Sequence, residues 1–140
     1  MLFRSIVQVA SAVLTSYAST TNSTLTSTGL AVSITPSSSS SKILITAALS
    51  GSQSASNGAG YFTVYRNSTD LGNSNGLSTI YTNATYSNPF RVPVPINYLD
   101  SPATTSSITY TVYFKTNTVG TVALNQDSTS SVITVMEVAQ

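Results

Sequence analysis

Cysteine, histidine and tryptophan are absent from this 140-residue chain, and charge is scarce: five Lys or Arg and four Asp or Glu, 6 % of all residues. Without cysteine there is no disulfide framework and no thiolate site, and nothing follows about redox compartment. Without histidine the chain lacks the commonest metal ligand and the commonest general base. No serine nucleophile is arguable where no imidazole exists to activate it. A formal net charge of +1 creates no field for nucleic acid or for a membrane surface, so neither is an expected partner. No apolar run approaches the roughly 18 residues of a membrane span. Disorder is excluded from the other side, because hydrophobicity is ordinary and net charge is low.

What is present is hydroxyl polarity. Ser and Thr make up about a third of the chain, beside a 41 % hydrophobic share. A chain rich in Val, Ile, Tyr and Thr and poor in Lys and Glu favours strands over helices. Its length suits one domain, residues 1–140, with one core.

The stretch Val92–Phe114 carries the clearest pattern. Val92, Val94, Ile96 and Tyr98 alternate with Arg91, Pro93, Pro95 and Asn97, and Ile108, Tyr110, Val112 and Phe114 alternate with Thr109, Thr111, Tyr113 and Lys115. A period of two marks half-buried strands. The polar loop between them, with Asp100-Ser101-Pro102-Ala103, reads as the connection of two antiparallel strands. Pro93 and Pro95 remove two donors from one side of their strand, so Arg91–Leu99 is expected at a sheet edge.

Other strands read similarly. Ser5–Val13 is the first; its apolar run behind Arg4 outlines a weak secretory signal, but Gln8 and Ser11 interrupt it. Leu30, Val32 and Ile34 alternate up to Pro36. Ser37–Ser41 reads as a hairpin loop. Lys42–Leu49 and Ser131–Val138 are apolar on both faces and are expected to be covered on both. Tyr61–Asn67 points Phe62 and Val64 one way and Tyr61, Thr63 and Tyr65 the other. Asn67–Gly76 holds a hairpin tip, and Leu77–Tyr86 and Thr121–Leu124 are weaker strands. The sum is an all-β, single-domain antiparallel β-sandwich of jelly-roll type with about eight to ten strands. Its expected core is Leu30, Val32, Ile34, Ile43, Ile45, Phe62, Val64, Ile96, Tyr110, Val112, Phe114, Ile133 and Val135.

Candidate chemistry is thin. The acids are Asp70, Asp100, Asp127 and Glu137. A glycosidase needs two facing carboxylates about 5–10 Å apart; only Asp100 and Asp127 sit in loops able to approach, and the plainer reading is a turn residue and a solvated loop residue. Glu137 pairs with Arg4 or Arg91, or lies exposed near the terminus. Asn73-Ser74-Asn75-Gly76 resembles part of a calcium loop, but Leu71 and Thr82 fall where that loop needs acids. Asn22, Asn67 and Asn83 head glycosylation patterns that arise by chance in such a chain. No catalytic, metal or cofactor residue is assigned. Tyr61, Tyr65, Tyr81, Tyr86, Tyr98 and Tyr113 suit strands, subunit contacts or a sugar-stacking face. Met1-Leu2-Phe3-Arg4 is apolar with one fixed charge and precedes the first strand pattern; Leu2, Phe3 and Arg4 are the expected assembly contact.

Several segments together resemble a family of small β-sandwich domains in the virions of tailed phages, notably cyanophages. They are Thr28–Pro36, Ser41–Ile45, Phe62–Arg66, Leu99–Pro102 and Ile133–Val138, in an order that covers about Ile6 to Ala139. The resemblance implies a virion structural protein: a capsid decoration or cement protein, commonly a homotrimer, bound to the major capsid protein at the outer capsid surface. It implies as the alternative the tip of a head or tail fibre, with a host-surface glycan as partner. The domain starting at once, without a stalk, favours decoration.

Overall fold

The computed structural model describes residues 5–85 and 89–140. Among the described residues eleven strands form in chain order: β1 Ile6–Leu14, β2 Ala18–Thr20, β3 Thr26–Ile34, β4 Lys42–Gln53, β5 Ala59–Arg66, β6 Thr69–Asp70, β7 Ser78–Tyr81, β8 Phe90–Asp100, β9 Ile108–Thr116, β10 Val122–Leu124 and β11 Ser131–Val138. One short 3-10 turn, Gln126–Ser128, interrupts them. The count exceeds the expected eight to ten because β2 and β6 are three and two residues long, too short to show a period.

Every strand pair is antiparallel. The first sheet is built on β4. One edge of β4 pairs with β8 from Ile43↔Asp100 to Gln53↔Phe90 without a register shift. Its other edge takes β11 over Lys42–Ala48 and β10 over Gly51–Gln53. β1 lies outside β11, and β2 outside β10. The second sheet runs β3-β9-β5, with β6 and β7 sharing the far edge of β5. The chain changes sheet at six of the ten connections between these strands, as a double-sheet fold with crossing connections does. The two sheets enclose an antiparallel β-sandwich.

All thirteen expected core residues are buried, joined by Leu49, Ile80, Val94, Ile108, Val122 and Leu124. Alternation places those of β3, β5, β8 and β9, because a strand with one covered face repeats every two residues; Ile43, Ile45, Ile133 and Val135 come from the apolar runs of β4 and β11. β8 has β4 as its one partner among the described residues, so it is the expected edge strand. The ladder passes both prolines unbroken, which leaves their donorless nitrogens on the outward side.

Three expectations change. Val92–Phe114 is no pair of adjacent strands: β8 belongs to the first sheet and β9 to the second, so residues 101–107 arch across the sandwich. Ser37–Ser41 likewise joins β3 and β4 in different sheets and is no hairpin loop; Ser41 itself is buried. β4 and β11 are central in their sheet, yet β11 throughout and β4 as far as Ser50 bury one face only, their other face being half-buried or exposed.

β3 contains one irregularity. Its register against β9 slips between Ser27 and Ala31, where Gly29 has φ +84°. The Thr28 hydroxyl donates to Val112 O at 2.9 Å and accepts from Leu30 N at 3.1 Å. One side chain thereby satisfies backbone groups that the bulge takes out of the ladder.

Candidate interaction surfaces

The four acids have structural partners. Asp100, at the end of β8, accepts from Arg66 Nη1 (2.8 and 3.1 Å), Tyr110 OH (2.8 Å) and Ser101 N (2.9 Å). Asp127 pairs with Arg91 at the opposite end of β8. Arg91 and Asp100 are nine residue steps apart along β8, about 30 Å of chain, so Asp100 and Asp127 are not brought together and no facing pair exists between them. Asp70 accepts from Thr63 Oγ1 at 2.6 Å and Gly72 N at 2.9 Å.

Glu137 pairs with no arginine in the described structure, and it is not exposed. It is fully buried and accepts from Gln8 Nε2 (2.6 Å), Ser37 Oγ (2.6 Å) and Ser37 N (2.8 Å). Burial alone would raise its pKa; the donors from Ser37, Gln8 and Ser41 outweigh that and hold it down at about 2. Gln8 is on β1 and Ser37 on the β3–β4 arch, so this carboxylate ties one end of the sandwich together.

The Asn73–Gly76 segment is a tight turn. Gly76 N donates to Asn73 O at 2.8 Å, and Asn75 N to Asn73 Oδ1 at 2.9 Å. Gly76 has φ +76°, and a Cβ there would meet Phe62 O at 2.4 Å. Close approach of two backbones accounts for the glycine.

The tyrosines divide. Tyr61, Tyr65 and Tyr113 share the outer face of the second sheet. Tyr65 and Tyr113 stack with centroids 4.1 Å apart, and Lys115 Nζ lies 5.3 Å from the Tyr61 ring centre. Burial, then Asp70 and Tyr113, push the Tyr65 phenol up. Tyr81 is exposed on the adjoining β7. Tyr98 faces inward and packs on the core, which removes it from any outer face. Tyr86, like the expected assembly residues Leu2, Phe3 and Arg4, lies outside the described residues.

The outer face of the first sheet has a pattern the sequence reading missed. Register aligns Val9, Met136, Leu44 and Leu99 across four strands, and four residues on it aligns Val13, Val132, Ala48 and Pro95. Between these aliphatic rows lies a polar one: Ser11, Thr134, Thr46 and Asn97. Val9, Val13 and Leu99 are 58, 61 and 47 % exposed. None of the three rows carries a charge. Beside them opens a shallow cavity of about 480 Å³, lined by Ala48, Ser50 and Pro93, with Arg91, Asp127 and Thr129 on its rim. The signal is present as the two-faced apolar composition of β4 and β11, from which coverage of both faces is expected.

No family model and no curated protein sequence matches this chain. Among solved structures it is similar to the VP2 subviral particle of infectious bursal disease virus, with 11 % identity, 96 % of this chain and 40 % of that chain covered, and a TM-score of 0.48. It is also similar to the structure of infectious bursal disease virus Gt strain, with 12 % identity, 96 % and 41 % covered, and a TM-score of 0.49. The chain spans about two-fifths of the length of these neighbours.

Proposed function

We propose that this chain is a virion structural protein of a tailed phage: a decoration or cement protein that binds the major capsid protein on the outer shell as a homotrimer and stabilises it. The observation that carries the reading is the pair of aliphatic rows on the outer face of the first sheet, which with the polar row between them hold no charge and lie between Lys42 and Arg91. Exposed apolar area in contiguous rows marks a surface for another protein, and hydroxyl groups hydrogen-bond across an interface at less desolvation cost than charges. The order of the family-like segments along the chain supports the phage setting. Two of the acids support it differently, Asp100 and Glu137 being engaged in holding the sandwich. Leu2, Phe3 and Arg4 remain part of this proposal as an assembly arm.

The alternative is the tip of a phage fibre, binding a host-surface glycan. The Tyr61, Tyr65 and Tyr113 face favours it, since aromatic rings stack on sugars. Locating the protein in the virion by cryo-electron microscopy separates the two readings. Copies spread over the icosahedral shell are expected; a few copies confined to fibre ends would overturn the cement reading. Deleting Met1–Arg4 is expected to weaken trimer formation or capsid binding while the domain still folds. Unchanged trimerisation and unchanged binding to undecorated capsids would remove the arm from the proposal.

A further inference from the structure

We infer that the free edge of β1 receives a strand from a different protein of the virion, which extends the first sheet past β1. Under the proposed function that protein is the major capsid protein, so the identity of the donor rests on that reading.

Three observations single out this edge. The first is its backbone. β1 pairs with β11 on one side and with no strand on the other among the described residues. Its ladder is regular over the seven positions Gln8–Leu14, and Ile6–Leu14 holds no proline, glycine or charge. Such an edge presents N–H and C=O groups in alternation, and an extended chain satisfies them in order. The second is the core beneath it. Of the strands longer than two residues, β1 alone has no buried position. Ala10, Ala12 and Leu14 pack on the core yet stay half-buried. On the other long edge strands, Leu30, Val32 and Ile34 of β3 and Val94 and Ile96 of β8 are buried. The core is thus left open at the β1 margin. The third is the outward side. Ile6, Val7, Val9 and Val13 are four of the eight large hydrophobic residues exposed among the described residues. Single exposed aliphatics are ordinary, but their concentration on one strand marks a contact.

The remaining edges of the molecule decide the occupant. Pro93 and Pro95 blunt β8. β3 slips between Ser27 and Ala31. β2, β6 and β7 are three, two and four residues long. No other edge of this chain therefore offers β1 a regular seven-residue ladder. Two β1 edges can pair with each other, but like with like closes a two-fold dimer, which does not build the proposed trimer. The donor is accordingly another protein. Its segment is extended and uncharged, with aliphatic side chains that cover Ala10, Ala12 and Leu14 on one side and Val9 and Val13 on the other.

Cryo-electron microscopy of the virion, at a resolution that separates strands about 4.8 Å apart, reads location and contact separately. A strand of another protein beside β1 is expected. Hydrogen exchange on the full chain, free and bound to undecorated capsids, reads the pairing: every second N–H of Gln8–Leu14 is expected to exchange fast when free and to lose that fast exchange when bound. Ala12→Lys points a charge into the new contact and is expected to weaken capsid binding about 100-fold. Ala31→Lys, exposed on β3 in the other sheet, is expected to leave binding unchanged. Circular dichroism verifies the fold of both variants, and the microscopy and exchange use wild type, so they decide the matter even if Ala12→Lys does not fold. A shell-bound chain touching its neighbours only through the sheet face overturns the inference and leaves the cement reading standing. A strand beside β1 that belongs to a second copy overturns it too, as does slow exchange of every β1 amide in the free chain. Copies at fibre ends with another protein's strand beside β1 uphold the edge and remove the capsid protein as donor.

Discussion

Asp100 Oδ2 accepts a 2.8 Å hydrogen bond from the Tyr110 hydroxyl, and that bond joins the two sheets. Asp100 ends β8 in the first sheet; Tyr110 sits in β9 in the second. Arg66, the register partner of Tyr110 on β5, adds its guanidinium to the same carboxylate. Burial first, and the bond to Asp100 second, raise the Tyr110 phenol well above its ordinary 10, so it remains a donor through the neutral range.

Removing that donor is expected to be felt throughout the sandwich. Tyr110→Phe keeps the ring and deletes one bond to a charged acceptor, a loss of about 1.5–3 kcal/mol. Asp100→Ala strands the buried phenol and the partly buried guanidinium together, with an expected cost of about 3–5 kcal/mol. Urea unfolding of the two variants measures both; equal effects would mean that Arg66 contributes nothing.

Phe114 tests the core. It is 1 % exposed and pairs with Phe62 across β5 and β9. Phe114→Ala is expected to cost about 3–5 kcal/mol. A loss below about 1 kcal/mol, the range of surface changes, would contradict its burial.

Glu137 sets an acid limit. Its pKa is lowered from 4.5 to about 2 on folding, so the folded state binds fewer protons there than the unfolded one. Its contribution is complete above pH 4.5 and is lost as pH falls toward 2. Glu137→Gln is expected to lower stability at pH 7 and to flatten the pH dependence across that window, as read by denaturant midpoints at several pH values. A parallel decline of variant and wild type would place the acid sensitivity elsewhere.

The prolines of β8 carry an expectation about solubility. Pro93 and Pro95 are exposed, and the double replacement by Thr restores two outward donors to an eleven-residue edge. Unfolding stability is expected to change little, within about 0.5 kcal/mol. Association by edge pairing is expected to rise, measured by light scattering over time against wild type.

The sheet face escaped the sequence for an identifiable reason. Leu44 and Ala48 show on paper that β4 carries apolar residues on its second side as well. They do not show whether another layer of the same chain covers it. Only the register that aligns Leu44 with Met136, Val9 and Leu99 turns separate residues into a row. Glu137 was missed similarly: its partners Gln8 and Ser37 are 129 and 100 residues away in the chain.

The sequence by itself determined strand content, the inward residues and the edge position of β8. Those follow from period two and from proline's missing donor, both local properties of the chain. The tertiary structure alone decided which strands are neighbours. The loops at 37–41 and 101–107 are polar and short, and such a loop spans either the roughly 5 Å between adjacent strands or the roughly 10 Å between packed sheets. Nothing within the loop distinguishes a hairpin from an arch. The choice is made by the pairing of β4 with β8 and of β3 with β9, where strands far apart in sequence bury their alternating faces against one another.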